Sequence, residues 1–426
     1  MALLLDLTPL RASEAFRRLW WGLGIANLGS QLTLVAVGLQ VYAISASTLS
    51  VGILGICALV PLITLGLYGG ALVDVYDRRT VALLSAMGLF VTSAALAVQA
   101  WLHVDSVSLL YLLVAVQSAA FAINNPARTA IIPRLLKPSL LPAANALTTT
   151  AWSTALVLGP LVGAALVAAS GFAAAYTVDM IMFTVGLWAL WRLPPLPPEG
   201  LDHPERKRGL AAVVEGLRYL ATRSNVRMTF VVDLIAMIFA MPRVLLPAVG
   251  VLFLGGGATT TGLLTAAFAV GAVLAGLFSG GLVGARWQGR LICLAIMIYG
   301  LSVAAFGVVL IIVGPTSPSV LLVPALIGAM SFLAIAGGAD AVSAVFRQTI
   351  LQTATPDSMR GRLQGVFIVV VAGGPRLGDL VLGAGASWLN EGLAALIGGL
   401  TCVALLSVVT LTQRRFLAYD ARHPTP

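Results

Sequence analysis

Six ionisable side chains sit inside long apolar runs: Asp179, Asp233, Arg243, Asp340, Arg376 and Asp379. Charge in such a setting is expensive and marks an ion or solute path, a proton relay or a structural pair. An aspartate that gains and loses a proton can couple solute movement to a proton gradient, and Asp179 and Asp379 lie deepest by residue count. Arg376 and Asp379 are three residues apart, so on a helix they share a face and can pair. They follow Gly373-Gly374-Pro375, which loosens a helix, and Arg243 follows Pro242. Two arginines with delocalised, forked donors suit an anionic or catechol-like, oxygen-rich ligand. The same residues also read as a purely structural Arg376–Asp379 pair, with Asp233 and Asp340 as end-of-helix charges.

The elements that must position these groups are membrane spans. Of the 426 residues, 59% are hydrophobic and 10% charged, against roughly 25% charged in soluble proteins. Apolar runs of ~20–25 residues, apolar all round, are the signature of spanning helices and not of barrel strands. They fall at about 19–43, 51–73, 80–102, 107–127, 143–168, 171–191, 228–253, 259–283, 291–314, 319–343, 363–387 and 392–412. With the N-terminus inside and alternating spans, all of the 25 Lys and Arg residues except Arg243 and Arg376 fall in cytoplasmic segments. This positive-inside bias predicts cytoplasmic N- and C-termini and an even span count. It also assigns the net charge of +9 to one membrane face, with no nucleic-acid partner. No A-x-A-like site follows the first apolar run, which reads as an uncleaved span.

The chain divides at a linker. Residues 1–192 form one six-helix half, 193–222 a cytoplasmic connection, and 223–426 the other half. Pro194-Pro195-Leu196-Pro197-Pro198 breaks any helix. Leu210, Val213, Val214, Leu217 and Leu220 then recur at the spacing of a surface-lying amphipathic helix. A shift of 219 residues places Arg128 on Arg347, Gly159 on Gly378 and Asn145 on Gln364, so the halves read as weak internal repeats.

Two motifs carry mechanism. Gly70, Leu72, Asp74, Arg78 and Arg79 fit the loop pattern G-x-L-x-D-x-x-G-R-R, with Asp77 in place of its last glycine. This resembles the inner-gate motif of the major facilitator superfamily, in which a helix-end carboxylate pairs with arginines or with another helix's positive end. The corresponding stretch at 280–290 lacks the acid, so such a gate is one-sided. Gly159, Pro160 and Gly163, with Ala155 and Ala164, resemble a degraded antiporter motif and equally a small-residue packing seam.

The chain as a whole resembles the enterobactin-exporter-like branch of that superfamily. The resemblance rests on Leu5-Asp6-Leu7 with Ala15-Phe16-Arg17, the loop motif, and Asn124-Asn125-Pro126-Ala127-Arg128 with Pro142-Ala143-Ala144-Asn145. Ala240-Met241-Pro242-Arg243 and Leu351-Gln352-Thr353 with Met359-Arg360-Gly361-Arg362 complete it. It implies an all-α integral membrane protein of twelve transmembrane helices in two six-helix halves, in the bacterial inner membrane. It further implies secondary active export of a small amphipathic, siderophore-like molecule by proton antiport and alternating access. The expected partners are a small-molecule substrate, protons and the lipid bilayer, and the protein is expected to act as a monomer. A multidrug exporter and an uncoupled channel are the competing readings.

Several activities are excluded by residue pattern. Lys137 and Lys207 are the only lysines and neither follows a glycine, so there is no P-loop and no ATP. Cys57, Cys293 and Cys402 are scattered, and His103, His203 and His423 lie near loops or ends. Neither set has metal-ligand spacing. No enzyme, metal or cofactor is expected.

Overall fold

The computed structural model describes residues 6–137, 140–197, 215, 218–277, 285–355 and 357–423. Within them, the side chains of 67–71, 73–75, 142, 146, 277, 352, 357–362, 364–365, 367–369 and 372 are not described. The long helices are α1 (Glu14–Ser45), α2 (Thr48–Val75), α3 (Arg78–Trp101), α4 (Val107–Leu135), α5 (Leu141–Trp191), α6 (Ser224–Ala240), α7 (Gly257–Leu277), α8 (Gln288–Val313), α9 (Val323–Thr353), α10 (Asp357–Leu389) and α11 (Glu391–Thr412).

Among the described residues, 10 helices are long and apolar enough to cross a membrane. One of these, Ala143–Trp191, is two helices in sequence. At Gly171 the backbone turns to φ 78° and ψ 179°, a conformation that glycine adopts without a side-chain clash. The break falls within a few residues of the predicted boundary between the fifth and sixth runs. At 33 residues, α10 is also longer than the ~20 that a span needs. The helices overrun the predicted runs: α4 continues to Leu135 and α9 to Thr353. Arg128 and Arg347, which the charge pattern assigns to cytoplasmic segments, therefore lie on helices that continue past the predicted runs.

The chain forms two compact units, Met1–Ile44 with Cys57–Gly209, and Ser45–Ile56 with Leu210–Pro426. The first turns of α2 thus group with the second unit, across the boundary expected at residue 192. Small residues explain this. A side chain at Gly52 or Gly55 would strike the backbone or Cβ of Arg376 and Asp379 on α10, and one at Gly383 would strike Thr48. The Thr48 hydroxyl also donates to Glu391 Oε1 at 2.6 Å. Most of the expected amphipathic helix at 210–220 lies outside the described residues.

In the first unit, Phe16 and Leu19 (α1), Val81 and Ala82 (α3), Ile131 (α4) and Leu147 and Leu190 (α5) form one buried apolar cluster. In the second, glycines set the helix spacing. A Cβ at Gly337 (α9) would enter the backbone of Phe268 (α7), and one at Gly307 (α8) that of α11. Where lipid supplies no hydrophobic drive between helices, such close packing replaces it.

Candidate functional site

In the second unit, α6 stops at Ala240. Pro242 has no N–H to continue the ladder, and Met241 before it is extended (φ −83°, ψ 102°). The chain continues as a 3-10 turn (Pro242–Leu245), a short α segment and a π turn (Val249–Phe253). The Ala240 carbonyl at the break accepts from the Tyr299 hydroxyl at 2.9 Å. Arg243 stands on the first turn past the break and donates to Asp379 Oδ2 on α10 at 2.5 Å. The Asp379 side chain is 7% exposed and that of Arg243 35%, so the aspartate is buried and the arginine keeps an open edge.

The expected Arg376–Asp379 pair does not form. Asp379 is taken by Arg243, which the helix break carries to it. Arg376, one turn away on α10, has no ion-pair partner among the described residues and lies in the field of both Arg243 and Asp379. The site therefore carries two cations for one anion.

A second cluster lies in the same unit. Arg347 (α9) forms an ion pair with Asp233 (α6) and a longer one, 3.4 Å, with Asp340 one to two turns back on its own helix. Asp233 and Arg347 are 5% and 6% exposed. Neither aspartate is an end-of-helix charge; both answer one buried guanidinium. The positive-inside pattern puts Arg347 in a cytoplasmic segment, and the 219-residue repeat sets it against Arg128. The repeat has physical content. Arg128 (α4) reaches Asn27 (α1) and Asn124, each at 3.3 Å, as Arg347 reaches the acid on α6. One unit answers its arginine with amides, the other with carboxylates.

Asp179, in the second arm of α5, is fully buried. Its Oδ2 accepts from Thr33 Oγ1 (α1) at 2.7 Å and Ser93 Oγ (α3) at 2.8 Å. Its Oδ1 has no hydrogen-bond partner. Thr33 and Ser93 carry no charge and follow no motif, so nothing in the sequence singles them out.

Of the loop motif, Gly70 falls on the α2 backbone, the Asp74 side chain lies outside the described residues, and Leu72 packs on the apolar cluster of the first unit. The Arg78 guanidinium donates to Ala130 O at 3.3 Å and that of Arg79 to Trp191 O at 2.6 Å. The two arginines thus tie the start of α3 to the ends of α4 and α5. Asp77, which interrupts the expected glycine, caps α3: its Oδ1 accepts from Thr80 N–H at 2.8 Å and its Oδ2 from Leu196 N–H at 2.5 Å. Partial burial pushes the Asp77 carboxyl up, but the Thr80 and Leu196 hydrogen bonds and the Arg79 charge outweigh it and hold the group below its usual range. This stabilisation is present above the unfolded value of about 4 and is lost as pH falls through the lower folded value. Asp77→Ala is expected to cost about 1 kcal/mol, the typical worth of an N-cap. A lowered melting temperature in detergent at pH 7, with the gap to wild type closing below about pH 4, checks it.

Of the antiporter-like motif, Gly159 and Gly163 bring α5 against α1. A Cβ at Gly159 would strike Gln31, and one at Gly163 the backbone of Leu32. Pro160 is buried between them. The stretch forms a close-packed helix crossing within the first unit.

Comparison with known proteins agrees with this architecture. The family model described as "Transmembrane secretion effector" matches residues 5–424. The enterobactin exporter EntS of Citrobacter koseri is 29% identical over 99% of this chain and 97% of its own. That of Shigella boydii is 29% identical over 97% and 96%. Among solved structures, the nucleoside transporter NupG superposes with a TM-score of 0.72 at 12% identity, over 93% of this chain and 98% of its own. The D-xylose–proton symporter gives 0.71 at 13% identity, over 93% and 97%. An all-helical chain with buried intramembrane charges at a broken helix, matched along its length by that family model, belongs to the transmembrane secretion effector family of the major facilitator superfamily and is a multi-pass membrane transporter, not an enzyme.

Proposed function

We propose that the protein is a secondary active exporter that moves a small, amphipathic, oxygen-rich molecule of the catecholate siderophore type out of a bacterial cytoplasm in exchange for protons. The observation that carries this reading is the Arg243–Asp379–Arg376 cluster at the α6 break. It has an excess of cation, one arginine edge accessible, and a broken helix of the kind that lines solute sites in transporters. Arginines at such a site bind vicinal phenolate or carboxylate oxygens as bidentate donors. The relatives' names supply the cargo class, since both are exporters of enterobactin.

The rest of the reading follows from membrane physics. Twelve spans, counting both arms of α5 and adding α10, with both termini in the cytoplasm, satisfy the positive-inside bias. Two six-helix units, 1–192 and 223–426 joined by 193–222, rock about the site as a monomer in the inner membrane. The Asp74 loop motif closes the inner side, and the Gly159–Pro160–Gly163 crossing gives α5 its bend.

The test is uptake of labelled enterobactin into inverted membrane vesicles holding the full-length protein, with and without an imposed proton gradient. Saturable, gradient-dependent uptake is the expected result. Uptake of cationic drugs in place of enterobactin would move the protein to multidrug efflux. Non-saturating flux indifferent to the gradient would make it a channel.

A further inference from the structure

Of the four intramembrane aspartates, three answer an arginine: Asp379 that of Arg243, and Asp233 and Asp340 that of Arg347. Asp179 does not. Its surroundings are Thr33 and Gly29 on α1, Ser93 on α3, and Tyr176 and Met182 on its own helix. Tyr176 is the titratable group among them, and no charged group acts on the carboxylate.

An ionised carboxylate with no cation, buried in a helical bundle, is costly. The neutral acid is not, and the two hydroxyls serve both forms, donating to the ion and accepting from the acid when they rotate. Oδ1 stands free to take a proton, and Gly29 leaves the room it occupies, since a Cβ there would collide with it. Asp233 and Asp379 lack this freedom, each being matched to a guanidinium at close range, and Asp340 has the same Arg347 within 3.4 Å, whereas Asp179 has no cation at all.

A polar seam leads away from this group. Tyr176, one turn from Asp179 toward Gly171, donates to Gln40 Oε1 (α1) at 2.7 Å. Gln40 and Gln99 (α3) exchange amide hydrogen bonds at 3.2 and 3.0 Å. Tyr176 is fully buried and both glutamines are 4% exposed. Gln99 is two residues from the end of α3, where Trp101 Nε1 donates to Thr177 at 3.1 Å. The seam therefore runs from Asp179 to the end of the first unit that lacks basic residues, the side expected to face out. Apart from one bond from Gln99 Nε2 to Leu96 O at 3.0 Å, these buried amides and the phenol hydrogen-bond one another, which does nothing for apolar packing.

We infer that Asp179 is the proton-carrying group of the transport cycle, and that the Tyr176–Gln40–Gln99 network is the closed outer end of its path. The inference rests on the antiport reading and separates the two solutes: protons in the first unit, cargo at the arginines of the second. A proton from outer water binds Oδ1, no other bond forming or breaking, and is released to inner water later in the cycle.

The experiment uses full-length protein in liposomes with labelled enterobactin as probe. Asp179→Asn is expected to lower proton-driven accumulation at least about tenfold, while cargo-for-cargo counterflow without a gradient stays within about threefold of wild type. Wild-type-like driven accumulation by this variant overturns the inference alone. A wild-type protein that ignores the gradient overturns the antiport reading beneath it. Should Asp179→Asn not fold, Thr33→Val with Ser93→Ala keeps the carboxylate and removes its donors. The pH profile of driven accumulation then moves to higher pH by about one unit, and an unmoved profile overturns the inference.

Discussion

Arg347→Ala is expected to be among the most damaging single substitutions in the chain, costing about 3–5 kcal/mol of stability. It leaves Asp233, 5% exposed, and Asp340 as two uncompensated carboxylates in one helical bundle. Arg347→Lys recovers only part of this, because a point charge cannot serve both acids as a planar fork does. The matching change in the other unit, Arg128→Ala, is expected to cost no more than about 1 kcal/mol. Its partners are neutral amides, and Asn124 keeps its bonds to Ala82 O and Ser85 Oγ, each at 3.0 Å. Thermal unfolding of the three purified variants in detergent reads the contrast directly. Equal losses at 128 and 347 would show that the acids contribute nothing.

The second large effect is expected at the broken helix. Arg243→Ala removes the partner of buried Asp379 and one of two cations that face cargo. Stability falls by about 3 kcal/mol, the low end for a buried pair because the arginine keeps an exposed edge. Transport is expected to fall on the order of a hundredfold. The swap Arg243→Asp with Asp379→Arg separates the two losses. It restores an ion pair and so the fold, but moves the cation onto α10, and transport stays low. Recovery of both stability and enterobactin transport in the swap would mean that the pair is structural only.

What the sequence makes legible differs by kind of signal. Helix existence is legible because apolar runs of spanning length need no context. Even the Gly171 break lies where two runs meet without a charged loop between them. The intramembrane charges are legible because each is conspicuous in an apolar run, but their partners are not. Arg376 and Asp379 share a face, yet the break at Pro242 delivers Arg243 to Asp379, and no local spacing encodes that contact. Arg347 reads as part of a cytoplasmic segment because α9 extends past its apolar run. The 219-residue match sets it against Arg128, which falls just past its own apolar run for the same reason. Thr33, Ser93, Gln40, Gln99 and Tyr176 give no signal at all. Single polar residues in a spanning helix acquire meaning only when three helices bring them together. Asp77 carries a misleading signal: it departs from the family glycine, and it turns out to cap α3 and hold Leu196.

Proton movement itself tests the exchange of cargo for protons most directly. Inverted vesicles containing the full-length protein, loaded with a pH-sensitive dye and held without any imposed gradient, receive enterobactin outside. Antiport predicts that cargo entering the lumen drives protons out, so the lumen turns alkaline, saturably with enterobactin, and much less so with the Arg243→Ala protein. Enterobactin entry with no change in lumenal pH beyond that of protein-free vesicles would contradict proton exchange and leave a transporter driven by the cargo gradient alone.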